Sequence, residues 1–254
     1  MAASNKAVGT WNTAADWTPS GVPSDIVTIT TTGTNTLYTL SGAASNTITG
    51  LNISAPSLKF ATLVFATNAT LNVSGNVAFA QTGTSAALAA SLRGQGTLNV
   101  TGSISGSGTL ASTSAVTLKI VANSLNSTGL VASASATSAV VDLNLTNTST
   151  LASISVSNTA MVRLSSGSLT VASVVGGNLN TGTIAAFGGA LTITNVLTTG
   201  TAAAQTLLAS GGTITVNGGS MGGGGLTFAD VAGSRFNVGG ALTSGSINFA
   251  GTGN

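Results

Sequence analysis

The chain lacks the residues on which many enzymes and metal sites depend. Among its 254 residues there is no cysteine and no histidine, and all four acidic residues are aspartates. The absence of cysteine excludes disulfide bonds and thiolate metal ligands. A Ser-His-Asp triad is excluded by the absence of histidine, and four aspartates leave few candidates for general acid–base catalysis. The composition therefore predicts a protein that is not an enzyme, with no catalytic site, no metal site and no cofactor.

Charge is scarce as well. Only 4% of the residues are charged, against about a quarter in an ordinary soluble domain. The chain is nevertheless not of a disordered type, because hydrophobic residues make up 43% and the net charge is only +2. The six cations are scattered over the whole length, so nucleic-acid binding is not predicted. The charged residues are Lys6, Asp16, Asp25, Lys59, Arg93, Lys119, Asp142, Arg163, Asp230 and Arg235.

Long hydrophobic runs are absent too. The longest apolar run is AALAA at 86–90, far short of the roughly 18 residues of a transmembrane helix. We therefore expect no insertion into a membrane. The N-terminal segment MAASNKAVGTW contains no apolar core of the kind found in a cleavable signal peptide, so no export signal is visible in this sequence.

What recurs is a short alternating strand followed by a turn of Gly, Ser or Asn. In LNVS at 71–74, Leu71 and Val73 point to one side and Asn72 to the other. The units follow one another at roughly 20 to 27 residues. A loose period of this length, with one strand–turn unit per cycle, indicates a solenoid. The other copies are LNIS at 51–54, LNVT at 98–101, LKIV at 118–121, LNLT at 143–146, LTV at 169–171, LTIT at 191–194, ITVN at 214–217, FNV at 236–238 and INF at 247–249.

Four of the charges agree with this alternation. Each lies between two apolar residues and so takes the outward position of a half-buried strand, as expected for solvated surface charges. These four are Lys59, Lys119, Asp142 and Arg163.

These patterns predict an all-β, single-chain parallel β-solenoid of roughly eleven coils. A β-sandwich is disfavoured because its strands come every 8–12 residues and are usually joined by tighter hairpins. With coils stacked at about 4.8 Å, eleven of them form a rod of about 50 Å. We assign residues 1–29 to an N-terminal cap with the first strand, and residues 30–254 to one continuous solenoid body.

The segment GTWNTAADWTPSGVPSDIVTI at 9–29 differs from the rest. It contains both tryptophans, two of the three prolines and two of the four aspartates. It resembles the N-terminal motif of the β-strand-repeat regions of bacterial autotransporter passengers and related large secreted adhesins. The resemblance implies a right-handed β-helix, export to the bacterial cell surface, and a scaffold or adhesive role. The matching positions are Trp11, Trp17, Gly21, Pro23, Asp25, Val27 and Ile29.

A solenoid needs a cap, because each of its ends exposes an open core and an unpaired strand edge. Trp11 and Trp17 are predicted to plug the core, and Pro19 and Pro23 to withhold backbone donors from the edge. Asp25 is predicted to accept hydrogen bonds from turn amides. The alternative is that the two tryptophans form an exposed stacking platform for surface glycans.

With so few charges, little repulsion opposes self-association. The C-terminal segment around Phe249 lacks a comparable cap, so a head-to-tail contact between copies would propagate as a fibre. We therefore expect an extracellular structural protein whose partner is a second copy of itself, assembled into a filament or surface layer. The alternatives are a monomeric adhesin or glycan-binding rod, and an ice-binding solenoid. Ice binding is suggested by Thr-x-Thr pairs, which come at irregular separations: Thr28/Thr30, Thr192/Thr194 and Thr213/Thr215.

Overall fold

A computed structural model describes residues 1–31, 35–42, 45–56, 59–81, 90–176, 182–198, 205–220, 225–231, 233–243 and 246–251. Within these ranges the chain is almost entirely β, and its only helix is a single 3-10 turn at Ala14–Asp16. The strands are β1 (Ala2–Ser4), β2 (Val8–Thr10), β3 (Trp17–Thr18), β4 (Ile26–Thr30), β5 (Thr36–Leu40), β6 (Ser45–Ile48), β7 (Gly50–Ala55), β8 (Ala61–Val73), β9 (Val77–Gln81), β10 (Ala90–Ser112), β11 (Thr117–Ala134), β12 (Val140–Val156), β13 (Met161–Gly176), β14 (Thr183–Ala186), β15 (Ala190–Thr198), β16 (Gln205–Ala209), β17 (Thr213–Val216), β18 (Gly219–Ser220), β19 (Gly225–Asp230), β20 (Arg235–Val238), β21 (Leu242–Thr243) and β22 (Ser246–Gly251).

Parallel pairing stacks these strands into a β-solenoid, which confirms the predicted fold class. One ladder of paired residues can be followed along the whole rod, with each member opposite the next. Its two terminal positions have one neighbour and its nine inner positions have two, which corresponds to about nine turns between the terminal coils. The sequence predicted roughly eleven coils. The ladder passes through Ala3, Thr28, Asn52, Ala78, Ser105, Asn126, Thr150, Thr170, Thr192, Thr215 and Asn237.

Alternation along each strand separates the core from the surface. In β17, Ile214 and Val216 are fully buried, whereas Thr213 and Thr215 are half-buried on the outside. The core is therefore a continuous row of Ala, Val, Ile and Leu side chains, one layer per coil. Burial of this apolar row is the main stabilising contribution, because the coils of a solenoid contact only their neighbours.

Coil length falls along the chain. In the N-terminal half, paired residues are separated by 24 positions (Ile26 and Gly50) to 29 positions (Val8 and Leu37). From β10 onward the separation is 20 (Thr148 and Ser168) to 24 (Asn126 and Thr150). The corners between strands absorb these differences. Register also shifts within β10, between Ser105 and Ser107; there Gly106 has φ +93°, and a Cβ would lie 1.8 Å from the Phe79 carbonyl oxygen, so only glycine fits.

The repeat prediction was wrong in one respect: each coil contains more than one strand segment. The recurring motif lies on two different faces. LNIS at 51–54 and LTIT at 191–194 follow the ladder above, whereas LNVT at 98–101 and LNLT at 143–146 follow a second one. Both faces pack on the same narrow core, so both need the same alternation of apolar and polar residues. The spacing read from the sequence therefore mixes steps along a coil with steps between coils.

Two of the four charge placements need correction. Lys59 lies outside any strand and its neighbour Phe60 is 37% exposed, so there is no half-buried triplet there; Leu58 lies outside the described residues. Asp142 does point outward, but it is buried rather than solvated. Lys119 is exposed as expected, and Arg163 is half-buried.

Candidate functional site

Three aromatic rings close the core at the N-terminal end. Trp11 and Trp17 meet edge to face with ring centroids 5.3 Å apart, and Tyr38 lies 4.6 Å from Trp17. All three are at most 1% exposed. Trp17 Nε1 donates a hydrogen bond of 2.9 Å to the Trp11 carbonyl oxygen. Gly9 leaves room for the Tyr38 ring, since a Cβ there would lie 2.6 Å from it. We name Trp11, Trp17 and Tyr38 the aromatic plug.

A buried carboxylate fastens the plug to the first coil. Asp16 accepts a hydrogen bond of 2.7 Å from the Thr10 backbone amide and one of 2.5 Å from the Lys6 ammonium. Its carbonyl oxygen accepts from the Tyr38 hydroxyl. The Lys6 hydrogen bond, followed by the Thr10 amide, lowers the pKa of Asp16, while the same contact raises the pKa of Lys6. Burial raises the pKa of Tyr38. Asp16 thus accepts the hydrogen bond of a β2 amide that would otherwise be available to a neighbouring strand.

Backbone pairing closes the rest of this end. Strand β1 pairs with β4 on one side and, antiparallel, with β3 on the other. Pro19 directly follows β3, and Pro23 is buried in the loop that leads to β4. Together with Asp25 they line one shallow pocket of about 160 Å³. The structure therefore brings the predicted cap residues together at one end of the rod.

Asp25 was predicted to accept hydrogen bonds from turn amides, but its main partners are a threonine hydroxyl and the terminal ammonium. Its carboxylate accepts a 2.7 Å hydrogen bond from the Thr49 hydroxyl and contacts the N-terminal ammonium of Met1 at 3.2 Å. The Thr49 bond, the terminal ammonium and the backbone amide of Ile26 lower the pKa of Asp25, in that order. Asp25 therefore joins the cap loop to the third coil through Thr49, the residue that precedes β7.

The sixth predicted residue, Phe249, lies at the opposite end. Its ring stacks on Phe228 at 5.2 Å and is 74% exposed. Phe236 meets the other side of this cluster, 5.0 Å from Phe228. In the part of the chain that the structure describes, β20, β21 and β22 each pair with one strand only. The C-terminal end thus presents unpaired strand edges beside an exposed ring.

The sugar-platform alternative is overturned at the tryptophans. Stacking of a sugar on a ring needs an accessible ring face, but Trp11 is 0% and Trp17 is 1% exposed. The two faces are occupied by each other, by Tyr38 and by the first coils. A glycan-binding role for this protein cannot use these two side chains as they are folded.

Sequence reasoning missed one charged cluster on the side of the rod. Arg163 donates a 2.8 Å hydrogen bond to Asp142, and Ser165 donates one of 2.6 Å to the same carboxylate. The guanidinium also lies 5.6 Å from the ring centre of Phe187. Bonding to Asp142 raises the pKa of Arg163. The pairing of Asp142 with Arg163 could be found only from the register between coils, because the two residues are 21 positions apart in the sequence and lie directly opposite each other.

Three of the four aspartates take part in structural contacts. Each of Asp16, Asp25 and Asp142 is already held by structural partners. Among the described residues, no three His, Cys, Asp or Glu side chains come together as they would to hold a metal ion. The same part of the chain has no helix that is long and apolar enough to cross a membrane.

No family model, curated protein or solved structure matches this chain.

Proposed function

We propose that this protein is an extracellular, non-catalytic structural rod that self-associates end to end, forming a filament or surface layer. The proposal rests on the solenoid fold, on the scarcity of charge, and on the resemblance of residues 9–29 to the start of cell-surface solenoids. The observation that carries it is the position of the exposed apolar side chains.

Exposed large hydrophobic side chains are concentrated at the ends. Nine are found among the described residues, and the sides of the rod hold only two of them, Phe60 and Phe187. Phe187 is moreover covered in part by the Arg163 guanidinium. Exposed apolar patches commonly mark interaction surfaces. Seven lie within residues 1–26 or 231–251: Met1, Val8, Val22 and Ile26 at one end, and Val231, Val238 and Phe249 at the other.

The two ends differ, which favours a head-to-tail contact. At the N-terminal end, β3 pairs with β1 and Asp16 accepts from the Thr10 amide, and this end also exposes apolar side chains. At the C-terminal end the Phe249 ring is exposed, and among the described residues β20, β21 and β22 each pair with one strand only. A contact between unlike surfaces leaves one of each free on the product, so it propagates in one direction. Low net charge leaves little repulsion to oppose this growth.

The test is a pair of end variants. Val8→Asp places a charge on the N-terminal end, where Val8 is 69% exposed, and Phe249→Asp does the same at the C-terminal end. We expect the wild type to form rods whose lengths in negative-stain images are multiples of one unit, and each variant alone to be monomeric. An equimolar mixture of the two variants should give dimers by light scattering, because each keeps one intact end.

Phe60→Asp is the matched control, since Phe60 is exposed on the side of the rod, and it should assemble like the wild type. Monodisperse monomers of wild type at every concentration would overturn the proposal. Dimers of Val8→Asp alone would show instead that two C-terminal ends meet, which contradicts head-to-tail assembly.

A further inference from the structure

A stripe of short, uncharged side chains runs along one face of the rod. Every one of the eleven residues in the ladder described above, from Ala3 to Asn237, is Ala, Ser, Thr or Asn, and none is buried. Neighbouring members are one strand spacing apart, about 4.8 Å. We name these eleven residues the polar stripe. Because none of these side chains is long or charged, none projects far from this face.

Four successive members of the polar stripe are threonines. Thr150, Thr170, Thr192 and Thr215 are separated by 20, 22 and 23 positions in the sequence, yet each is paired directly with the next. The irregular spacing therefore does not count against a regular threonine array, because the corners of the coils take up the extra residues. Their β-branched side chains have few rotamers, which keeps the hydroxyls at fixed positions.

A second column lies beside these threonines, two residues earlier in each strand. Its members are also in register, and residues two apart in a strand are separated by about 6.6–6.8 Å. The two columns form a two-dimensional array of hydroxyl and methyl groups on four successive coils. The second column consists of Thr148, Ser168, Ala190 and Thr213.

The array is open to a ligand. Thr150, Thr170 and Thr192 make no side-chain hydrogen bond to any described residue, and Thr215 accepts one of 3.2 Å from Asn237. Each free hydroxyl can donate one hydrogen bond and accept two. No charged residue lies in either column over these four coils. Arg235, which pairs with Thr213, is the first charge in the next coil.

From this geometry we propose that the array binds ice. Oxygen atoms in hexagonal ice repeat along one crystal axis at a distance close to the rung spacing, so water ordered by one coil fits the water ordered by the next. Water supplies both donors and acceptors to the hydroxyls. A second protein rod would instead have to replace each of these hydrogen bonds. A sugar would lack aromatic rings to stack on, as neither column contains one.

The test compares ice growth in the presence of wild type and of Thr170→Tyr/Thr192→Tyr, which raises two large rings from the centre of the array. Wild type should shape single ice crystals and slow the recrystallisation of fine ice, whereas the variant should lose both effects. Thr97→Tyr is the matched control, because Thr97 is equally half-buried and outward but lies on another face. It should act like the wild type.

Thr170→Val/Thr192→Val keeps the shape and removes the hydroxyls, and it is less disturbing to the fold. We expect it to weaken the inhibition, so that several-fold more protein is needed for the same effect. Ice growth unaffected by wild type, or inhibited equally by the tyrosine variant, would overturn the proposal. So would side-by-side dimers of wild type that the tyrosine variant abolishes, since a second copy would then cover the array.

Discussion

The two ends of the rod both contain clustered aromatic rings, but they use them differently. At the N-terminal end, Trp11, Trp17 and Tyr38 are fully buried and are held by backbone pairing and by Asp16. At the C-terminal end, Phe228 is buried, yet Phe249 stacks on it and remains 74% exposed. Aromatic content alone therefore does not make a cap. The N-terminal end also has strand β3 paired with β1, and its Thr10 amide bonded to Asp16, beside the packed rings.

This difference has an energetic side. A solenoid coil is stabilised by the neighbours above and below it, so a terminal coil lacks half of its contacts unless a cap replaces them. The aromatic plug replaces them at the N-terminal end. The C-terminal coil has no equivalent among the described residues, so it should open first when the rod is destabilised. Three predictions test this contrast, in order of decreasing effect.

The largest effect is expected for Trp17→Ala. The ring is buried between Trp11 and Tyr38, and its removal leaves a cavity that the rigid coil cannot fill, with a cost of about 3–5 kcal/mol. Urea denaturation followed by circular dichroism measures the loss. The single remaining tryptophan, Trp11, should also shift its fluorescence toward that of a solvated ring. A change in unfolding free energy below about 1 kcal/mol would show that the plug does not stabilise the first coil.

As the pH is lowered, the N-terminal end should lose stability at a higher pH than the rest of the solenoid. The pKa of Asp16 is lowered from its ordinary value of 3.8, chiefly by the bond from Lys6. Its ionised form is therefore favoured in the folded state, and this contribution is fully present above that ordinary value. It is lost as the pH falls through the lowered folded pKa. Asp25 acts in the same direction at the same end.

Tryptophan fluorescence and far-UV circular dichroism, recorded from pH 7 to pH 2, separate the end from the body. We expect the fluorescence transition at the higher pH of the two. Asp16→Asn should already be less stable than wild type at pH 7, and the difference in stability should shrink as the pH falls. Coincident transitions in wild type would contradict a separate role for the cap.

The smallest effect is expected for Phe249→Ala. Because the ring is mostly exposed, little apolar area returns to water on its removal, and the unfolding free energy should change by less than about 1 kcal/mol. The end-to-end assembly proposed above should nevertheless be weakened. A loss of stability comparable to that of Trp17→Ala would mean that both ends are closed in the same way.

Much of the site at the N-terminal end could be inferred from the sequence. Both tryptophans, both prolines and Asp25 fall in one short segment, so chain connectivity alone keeps them together. Tyr38 and Asp16 were not expected as partners, because their contact spans 22 positions and depends on how the first coil turns. Phe249 was predicted to meet the cap of a neighbouring copy; it lies at the opposite end of the rod, as expected, and the contact between copies stays a prediction.

The sequence by itself determined the solenoid, since alternation of apolar and short polar residues over many units, with almost no charge, suits a narrow two-sided core and little else. Only the tertiary structure decided which residues align between coils. Register depends on how many residues each corner absorbs, and the corners carry no periodic signal. That is why the burial of Asp142 under Arg163 and the column of four threonines became visible only when the coils were stacked.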